Sequence, residues 1–324
     1  MHRIPVGVLG ASGYAGRELC SIIGRHPGLS LAFATANAQR GERLRVGERD
    51  ITFIAGDDAP LESAQLVFSA LPHGTSSEWV DRAVAAGCRA VDLSTDLRPG
   101  NPPSGGATRT APYGLTEVMR ERLRGAEVIA NPGCYPTAIL LGVLPLVARG
   151  LVLPGSTINA VAASGVTGAG LSPRLDLLFG EVTEDYRAYG VGNTHRHIAE
   201  MSATLMNAGA DVDVLFTPHL LPVARGILAT VTVQLARELD DPLAIWREHY
   251  AGEPFIEIAD APPSLRDVVR RNVARIHARA VANVRQPTIQ VFSAIDNLVK
   301  GAAGQAVQNA NLALGLGETM GLLA

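Results

Sequence analysis

The stretch Ile4-Pro-Val-Gly-Val-Leu-Gly-Ala-Ser-Gly-Tyr-Ala-Gly16 decides the fold of this 324-residue chain, because it joins a short apolar run to a glycine-rich turn. Residues 17–24 follow with the apolar spacing of a helix that ends at Gly24. Strand, glycine-rich turn and helix in this order are typical of a dinucleotide-binding fold, in which the helix N-terminus meets a pyrophosphate. The residues predicted to line this turn are Gly10, Ser12, Gly13, Tyr14, Ala15 and Gly16.

The second predicted strand, residues 29–35, is followed by no acidic residue. Dinucleotide folds that prefer NAD usually place Asp or Glu there, where it holds the ribose hydroxyls. This chain has Thr35, Asn37 and Arg40 instead, and a hydroxyl, an amide and a guanidinium suit a 2′-phosphate. We therefore expect NADP rather than NAD as the cofactor. The alternative for Arg40 is a solvated loop charge.

Further strand–helix units follow, and their loops supply more candidates. Residues 66–71 form a buried strand that runs into the turn Leu71-Pro72-His73, and residues 90–94 form another strand. Loops at the carboxyl ends of parallel strands line the ligand crevice of such folds. His73 is expected to position backbone or cofactor rather than to transfer protons. The other candidates from these loops are Ser94, Asp96 and Arg98.

A cysteine stands where the next helix is about to begin, in Asn131-Pro-Gly-Cys-Tyr-Pro-Thr137 before the apolar run 138–144. Pro136 suits the first helical position, where a missing N–H costs nothing. Cys134 then lies at the positive end of the helix dipole, which favours thiolate over thiol. The segment predicts a nucleophile, and the alternative is a buried structural cysteine.

Small residues end the strand predicted over residues 156–163. Ser164 and Gly165 begin this loop, whose N–H groups suit a phosphate or a nicotinamide carboxamide; the alternative is a flexible surface loop. Alternating segments at residues 230–236 and 288–294 predict antiparallel strands of a mixed sheet.

Two histidines, His195 and His197, precede Glu200 by five and three residues. The two imidazoles share a face if the segment is extended and diverge if it is helical. A metal site is disfavoured because no further Cys/His cluster is near in sequence. We expect His197 to be the acid–base partner of Cys134, oriented by Glu200, and His195 to bind substrate. Exchanged roles stay open, and His219, placed by its prolines in a turn, is the next candidate.

Composition excludes several classes of protein. With 47% hydrophobic and 18% charged residues the chain is globular, and a net charge of −3 indicates no nucleic-acid or anionic-membrane partner. Three widely spaced cysteines predict a reducing compartment, so a cytoplasmic location is expected. No apolar run is long enough to span a bilayer. Lys300 is the single lysine among 28 basic residues.

Seven motifs together strongly resemble the N-acetyl-gamma-glutamyl-phosphate reductases of arginine biosynthesis, in order along nearly the whole chain. They lie at Gly10–Gly16, Ala70–Gly74, Asp92–Ser94, Pro112–Leu115, Pro132–Thr137, His195–His197 and Asp296–Gly301. The resemblance implies an α/β chain: a Rossmann-type doubly wound domain plus an α/β substrate and dimerisation domain with a mixed sheet. The first would comprise residues 1–132 with a C-terminal helix at 302–324, and the second residues 133–301.

The resemblance also implies the chemistry, an NADPH-dependent reduction of an acyl phosphate through a Cys134 thioester. It adds Asn297 and Gly301 to the cofactor site and Tyr113 and Asn131 to the substrate site. A homo-oligomer, dimer or tetramer, is expected. Aminoadipyl-phosphate and aspartyl-phosphate analogues remain alternative substrates, and an NADP-binding redox sensor is an alternative of another class.

Overall fold

The computed structural model describes residues 3–46, 49–101 and 109–322. The chain divides into two compact units, one built from residues 1–133 and 302–323 and the other from residues 134–301. The sequence places the break near Pro132, and this division falls after Gly133. Residue 324, the expected end of the first domain, lies outside the described residues.

Strands and helices alternate along the first unit, and the second unit contains longer strands. The strands are β1 (Ile4–Leu9), β2 (Leu29–Ala34), β3 (Arg43–Val46), β4 (Arg49–Thr52), β5 (Leu66–Ser69), β6 (Arg89–Asp92), β7 (Val128–Ala130), β8 (Ser156–Gly165), β9 (Arg187–Ala188), β10 (Val212–Leu221), β11 (Ile227–Gln234), β12 (Ile256–Ile258), β13 (Ala274–Ala280) and β14 (Thr288–Ile295). The helices are α1 (Tyr14–Arg25), α2 (Ser76–Ala85), α3 (Thr116–Leu123), α4 (Cys134–Ala148), α5 (Phe179–Val182), α6 (His197–Asn207), α7 (Pro242–His249) and α8 (Gly304–Ala313). No helix in the described part of the chain has the length and apolarity needed to cross a membrane.

The first unit is built on a parallel sheet in the order β2-β1-β5-β6-β7. All of β5 and most of β1 are buried, as expected for apolar strands covered on both faces. α1 buries one stripe that includes Leu19, Ile22 and Ile23. α8 returns to pack beside α3, α1 and β6. The prediction of a doubly wound dinucleotide fold is confirmed.

The second unit is built on a mixed sheet in the order β12-β13-β14-β11-β8-β10-β9. β8 and β11 alternate buried and more exposed residues, so one sheet face packs inward. α4 lies on β11 and β14, and its residues 135–147 are all buried. The antiparallel pair predicted at residues 230–236 and 288–294 is confirmed by the β11–β14 ladder.

The prediction that the nucleophile's helix begins at Pro136 is wrong by two residues. α4 begins at Cys134, which makes Pro136 its third residue. A proline is tolerated there because N–H groups of the first turn have no intrahelical acceptor. Cys134 is therefore the first residue of the helix.

α4 also continues through Pro145, which cannot donate to the Leu141 carbonyl one turn earlier. The Tyr250 hydroxyl donates to that carbonyl instead, over 2.7 Å. Trp246 Nε1 donates to the Gly142 carbonyl over 2.9 Å. Two aromatic side chains of the second unit thus bond the backbone carbonyls around the proline.

The prediction that His219 stands in a turn is wrong. His219 lies inside β10, directly after Pro218. A proline is tolerated in this strand because it borders the two-residue edge strand β9, so no long ladder is interrupted. The His219 ring stacks on Tyr186 with centroids 4.9 Å apart.

A turn of π-helix, Val299–Ala303, follows β14. The buried Asp296 carboxylate accepts the backbone N–H groups of Leu298 and Val299, over 2.8 and 3.0 Å. The Gly301 N–H donates to the Asp296 carbonyl five residues earlier, over 2.9 Å. Asp296 therefore fixes the start of this turn, which carries the fully buried Lys300.

Candidate active site

The glycine turn of the first unit has the backbone geometry that a pyrophosphate needs. Gly10 has a φ of +73°, and its N–H donates to Thr35 Oγ1 over 3.2 Å. A Cβ at Gly16 would lie 2.3 Å from the Gly10 carbonyl oxygen, so only glycine fits there. Gly13 caps α1 without a side-chain hydrogen bond, and the first turn of α1 has no acidic residue. The predicted cofactor residues Ser12, Tyr14 and Ala15 belong to the same turn, and this cradle fits a nicotinamide dinucleotide.

The segment that follows β2 contains the residues predicted to determine the preference for NADP over NAD. Thr35 is only 2% exposed, and its hydroxyl accepts the Gly10 N–H, so it shapes the glycine turn. Asn37 and Arg40 are exposed. Of the three predicted residues, these two present polar groups to solvent.

The loops after β5 and β6 are held together by hydrogen bonds. The Asp96 carboxylate accepts the backbone N–H groups of Gly74, Ser76 and Ser77 and so caps α2. His73 Nδ1 accepts the Thr95 N–H over 3.0 Å. His73 thus bonds to backbone, the kind of contact that the sequence predicts for it, and it lies directly after Leu71 and Pro72.

The predicted substrate residues of the first unit are engaged in its interior. Ser94 donates to Asp92 over 2.8 Å, and burial raises the pKa of that carboxyl. Arg98 donates to the carbonyls of Asn131 and Leu93 over 2.8 and 2.6 Å. These contacts hold the ends of β6 and β7, and binding of substrate by Ser94 and Arg98 stays a prediction.

Asn131 and Tyr113, the other two predicted substrate residues of this unit, are 0% and 4% exposed. Asn131 accepts from Asn309 Nδ2 over 2.9 Å and donates to the Ala302 carbonyl over 3.3 Å. Tyr113 forms a parallel bridge with Ala130. Asn131 is therefore part of the packing around α8.

A cavity of about 350 Å³ opens in the second unit. Five sequence-predicted residues line it: Cys134, Ser164, Gly165, His195 and His197. They come from the start of α4, the end of β8 and the start of α6. The structure thus brings the predicted nucleophile and both histidines to one cavity.

Cys134 is partly exposed, whereas Cys20 and Cys88 are buried. Burial raises the pKa of Cys20 to about 12. Gly301 packs against the nucleophile so closely that a Cβ there would lie 2.8 Å from Cys134 Cβ. Cys134 is therefore the most accessible of the three thiols, and its role as nucleophile stays a prediction.

His195 is held in a defined tautomer. Its Nδ1 accepts the backbone N–H of His197 over 3.2 Å, so its own ring proton belongs on Nε2. Burial, with a smaller contribution from the charge of Arg196, lowers the pKa of His195 to about 4. The ring is neutral at neutral pH and presents an N–H donor.

His197 begins α6, so Glu200 follows it by one helical turn. The imidazole centroids of His195 and His197 are 4.7 Å apart at an interplanar angle of 69°. His197 and Glu200 are 3% and 0% exposed. His197 lines the cavity beside His195, whereas Glu200 does not line it.

Two tyrosines of the cavity were not found from the sequence. Tyr135 lies edge-on to His195 and His197, with centroid distances of 5.6 and 6.1 Å. Its hydroxyl bonds to that of Tyr189 over 2.9 Å. Burial raises the pKa of Tyr135, and that of Tyr189 to about 12, so both stay protonated. The position of Tyr135 directly after the cysteine was the available signal.

Three arginines of the cavity wall, Arg174, Arg187 and Arg196, were also missed. Arg174 pairs with Asp176 over 2.6 Å and Arg187 with Asp185 over 2.6 Å. Their segment has no periodic pattern that would mark them. Asp176 lies in the same cavity wall, so the charges of Arg174 and Arg187 are balanced by carboxylates.

Asn297 joins loops of the second unit. Its Oδ1 accepts the Gly226 N–H over 2.8 Å, and its Nδ2 donates to Thr167 Oγ1 over 3.0 Å. A Cβ at Gly165 would lie 2.8 Å from Ala224 backbone atoms, so glycine is needed in this loop. The predicted cofactor residues Ser164, Gly165 and Asn297 thus form one hydrogen-bonded corner.

Comparison with known proteins identifies the family. Residues 5–126 match the model of the semialdehyde dehydrogenase NAD binding domain, and residues 134–297 match that of the semialdehyde dehydrogenase dimerisation domain. The N-acetyl-gamma-glutamyl-phosphate reductase of Halorhodospira halophila is 42% identical over 98% of both chains. That of Symbiobacterium thermophilum is 40% identical over 99% of this chain and 97% of its own. The chain belongs to the N-acetyl-gamma-glutamyl-phosphate reductase family.

Solved structures show the same fold at lower identity. A probable aspartate-semialdehyde dehydrogenase from Pseudomonas aeruginosa has a TM-score of 0.78 at 24% identity, over 97% of this chain and 99% of its own. Aspartate semialdehyde dehydrogenase II from Vibrio cholerae, in complex with ASA, has a TM-score of 0.76 at 18% identity and the same coverage. This member of the N-acetyl-gamma-glutamyl-phosphate reductase family is an oxidoreductase with a nicotinamide-cofactor domain.

Proposed function

We propose that this enzyme reduces N-acetyl-gamma-glutamyl phosphate to N-acetylglutamate 5-semialdehyde, with NADPH as reductant and release of phosphate. The observation that carries the proposal is the cavity that Cys134, His195 and His197 share. The names of the relatives, 40–42% identical over nearly the whole chain, supply the substrate.

Cys134 forms the covalent intermediate. Its thiolate attacks the acyl carbon, the new C–S bond forms, and the C–O bond to phosphate breaks. NADPH, when bound, would supply the hydride for reduction of the Cys134 thioester to a thiohemiacetal. Collapse of the thiohemiacetal breaks the C–S bond, returns the thiolate and leaves the aldehyde.

The two histidines divide the proton chemistry. Neutral His195, with its proton on Nε2, donates a hydrogen bond that binds the substrate. His197, one turn before Glu200, takes the thiol proton, gives it to the oxygen of the forming thiohemiacetal, and takes it back when the thiohemiacetal collapses. Arg196, which also lines the cavity, contributes positive charge that attracts the anionic substrate.

NADP is favoured over NAD by the exposed Asn37 and Arg40, which offer an amide and a guanidinium to a 2′-phosphate. Initial rates at equal low concentrations of NADPH and NADH test this choice. Arg40→Ala should raise the KM for NADPH and leave that for NADH unchanged. Faster turnover with NADH in the unmodified enzyme would contradict the assignment.

We also propose a homo-oligomer that operates in the cytoplasm. The matched dimerisation domain over residues 134–297 supports self-association, and three cysteines that form no disulfide suit a reducing compartment. In the same proposal, the first unit binds NADP and the second carries out the chemistry on a small acyl phosphate.

The reverse reaction tests the function. NADP should be reduced in the presence of both phosphate and N-acetylglutamate semialdehyde, and omission of phosphate should stop turnover. Cys134→Ser should lower the rate by orders of magnitude while NADPH still binds. Cys88→Ser, at a buried thiol outside this cavity, is the matched control and should keep most activity.

The other outcomes separate the alternatives. Faster turnover with the aminoadipate or aspartate semialdehyde would reassign the substrate. NADPH binding without turnover of any semialdehyde would favour a redox sensor with Cys134 as its sensing thiol. Near-normal activity of Cys134→Ser would refute the thioester.

A further inference from the structure

One basic residue of this chain differs from all the others. Of 28 basic residues, 27 are arginine and the last is Lys300. Lys300 is 0% exposed, whereas basic side chains are rarely buried completely. Among the arginines and the lysine whose side-chain burial the structure describes, Lys300 is the one with no exposed surface.

The surroundings of Lys300 explain why arginine does not replace it. The ammonium lies 5.6 Å from the centroid of Phe255, a ring that is itself 1% exposed. An ammonium is compact, whereas a guanidinium is planar and carries five donors that would all need buried acceptors.

Lys300 is the neighbour of the residue that touches the nucleophile. Gly301 follows it in the π-turn, and a Cβ on Gly301 would lie 2.8 Å from Cys134 Cβ. π-helical turns are rare and frequently occur at functional sites. The turn is held from one side by Asp296 and carries Lys300 into the interior.

We propose that Lys300 is a positioning residue for the nucleophile. Its buried side chain anchors the π-turn, and the turn presses Gly301 against Cys134 so that the sulfur faces the cavity in one orientation. The inference rests on the proposed function, because the step it serves is attack by Cys134 on the acyl phosphate.

A double-mutant cycle tests the proposal. Lys300→Met keeps the length of the side chain and removes its charge, and Gly301→Ala disturbs the contact itself. Each should lower kcat by about a hundredfold, since displacing a reacting group by about 1 Å costs that much. The KM values should change little. The double variant should be no slower than the slower single variant, because both changes act through one contact.

Gly142→Ala is the matched control. It adds the same methyl group in α4, 3.2 Å from Val291 Cγ1, and does not contact Cys134. Its effect on kcat should be small, and it should multiply with that of Lys300→Met. Normal kcat in Lys300→Met, or multiplicative losses with Gly301→Ala, would overturn the proposal.

A readout without substrate separates this inference from the proposed function. The rate of Cys134 alkylation by iodoacetamide, followed on its peptide, should fall in Lys300→Met and Gly301→Ala and stay unchanged in Gly142→Ala. If Lys300→Met does not fold, Lys300→Arg takes its place in the cycle. If neither folds, Lys300 serves folding alone, and the proposal is refuted.

Discussion

Tyr135 connects the nucleophile to its histidines. It is bonded to Cys134 through the chain, and its ring packs against His195, His197 and Phe216. Its hydroxyl reaches Tyr189 and the His219 carbonyl, over 2.9 and 3.3 Å. A side chain with so many fixed neighbours limits the motion of the imidazoles, which favours proton transfer along one path.

The roles proposed for the histidines predict different kinetic effects. His197→Asn removes the base and should lower kcat by about a hundredfold or more with little change in KM. His195→Asn should mainly raise the KM for the acyl phosphate. Steady-state kinetics at saturating NADPH measure both. The opposite pattern would exchange the roles, and unaltered kinetics in both variants would direct attention to His219.

The lowered pKa of His195 predicts a pH dependence of stability. The folded state disfavours the charged ring, so its contribution to stability is present above pH 6.5 and is lost as the pH falls towards about 4. After discounting for partial exposure, the loss is about 1–2 kcal/mol. Urea unfolding at pH 7 and pH 4.5 should show a smaller difference for His195→Asn than for the unmodified enzyme. Equal differences would show that His195 titrates normally.

Residue types with strong chemical signatures were found from the sequence, and hydrogen-bond partners were not. Cys134 and His195 could be predicted as site residues from their residue types, and both line the cavity. Ser94 and Arg98 occur at suitable loop ends, but they bond Asp92 and backbone carbonyls. Those partners depend on how strands pair in three dimensions, which local sequence does not specify.

At the scale of elements, α4 depends on Tyr250, whose hydroxyl replaces the backbone N–H donor that Pro145 lacks. Pro145 removes the hydrogen bond that the Leu141 carbonyl would accept, and Tyr250 supplies one from outside the helix. The helix that begins at Cys134 therefore continues through the core although its sequence contains a proline.

Tyr250→Phe should lower the free energy of unfolding by about 1–2 kcal/mol, because the Leu141 carbonyl stays buried and loses this donor. Chemical denaturation measures the change. In a Pro145→Ala background, where a backbone N–H is available, the same substitution should cost less. Tyr186→Phe, at a 55% exposed ring, is the control and should have little effect. An equal cost in both backgrounds would show that Pro145 is unrelated.

The sequence predicts whether a segment is a helix or a strand more reliably than it predicts the residues at which that segment begins and ends. The apolar period predicts α1, yet the helix passes Gly24 and ends at Arg25. Pro218 indicates a turn, yet β10 runs through it beside a very short edge strand. In both cases tertiary packing outweighs a local preference, and packing is not encoded in a window of neighbouring residues.

At the scale of the molecule, the C-terminal helix completes the first unit through buried amides. Gln305, Gln308, Asn309 and Asn311 are all 0% exposed. Gln305 and Asn309 both donate to the Gly114 carbonyl over 2.9 Å. A polar seam of this kind fixes one position for α8, because a displaced helix would leave many groups unpaired.

Asn309→Ala should therefore be strongly destabilising. It removes one acceptor for Thr116 and two donor contacts, to Gly114 and Asn131, with distances of 2.7–2.9 Å. We expect a loss of about 3 kcal/mol in the free energy of unfolding. Thermal and urea unfolding measure it, with Asn207→Ala at the exposed end of α6 as the control. A loss no larger than that of the control would show that the seam contributes nothing.

Because the sequence contains a single lysine, cleavage at that residue can be used to measure local unfolding of the protein. A lysine-specific endoprotease finds one scissile bond in the whole sequence, between Lys300 and Gly301. In the folded chain that bond lies inside the π-turn, with Lys300 fully buried. Cleavage therefore requires the turn beside Cys134 to unfold. The appearance of two fragments on a gel reports this unfolding without any label.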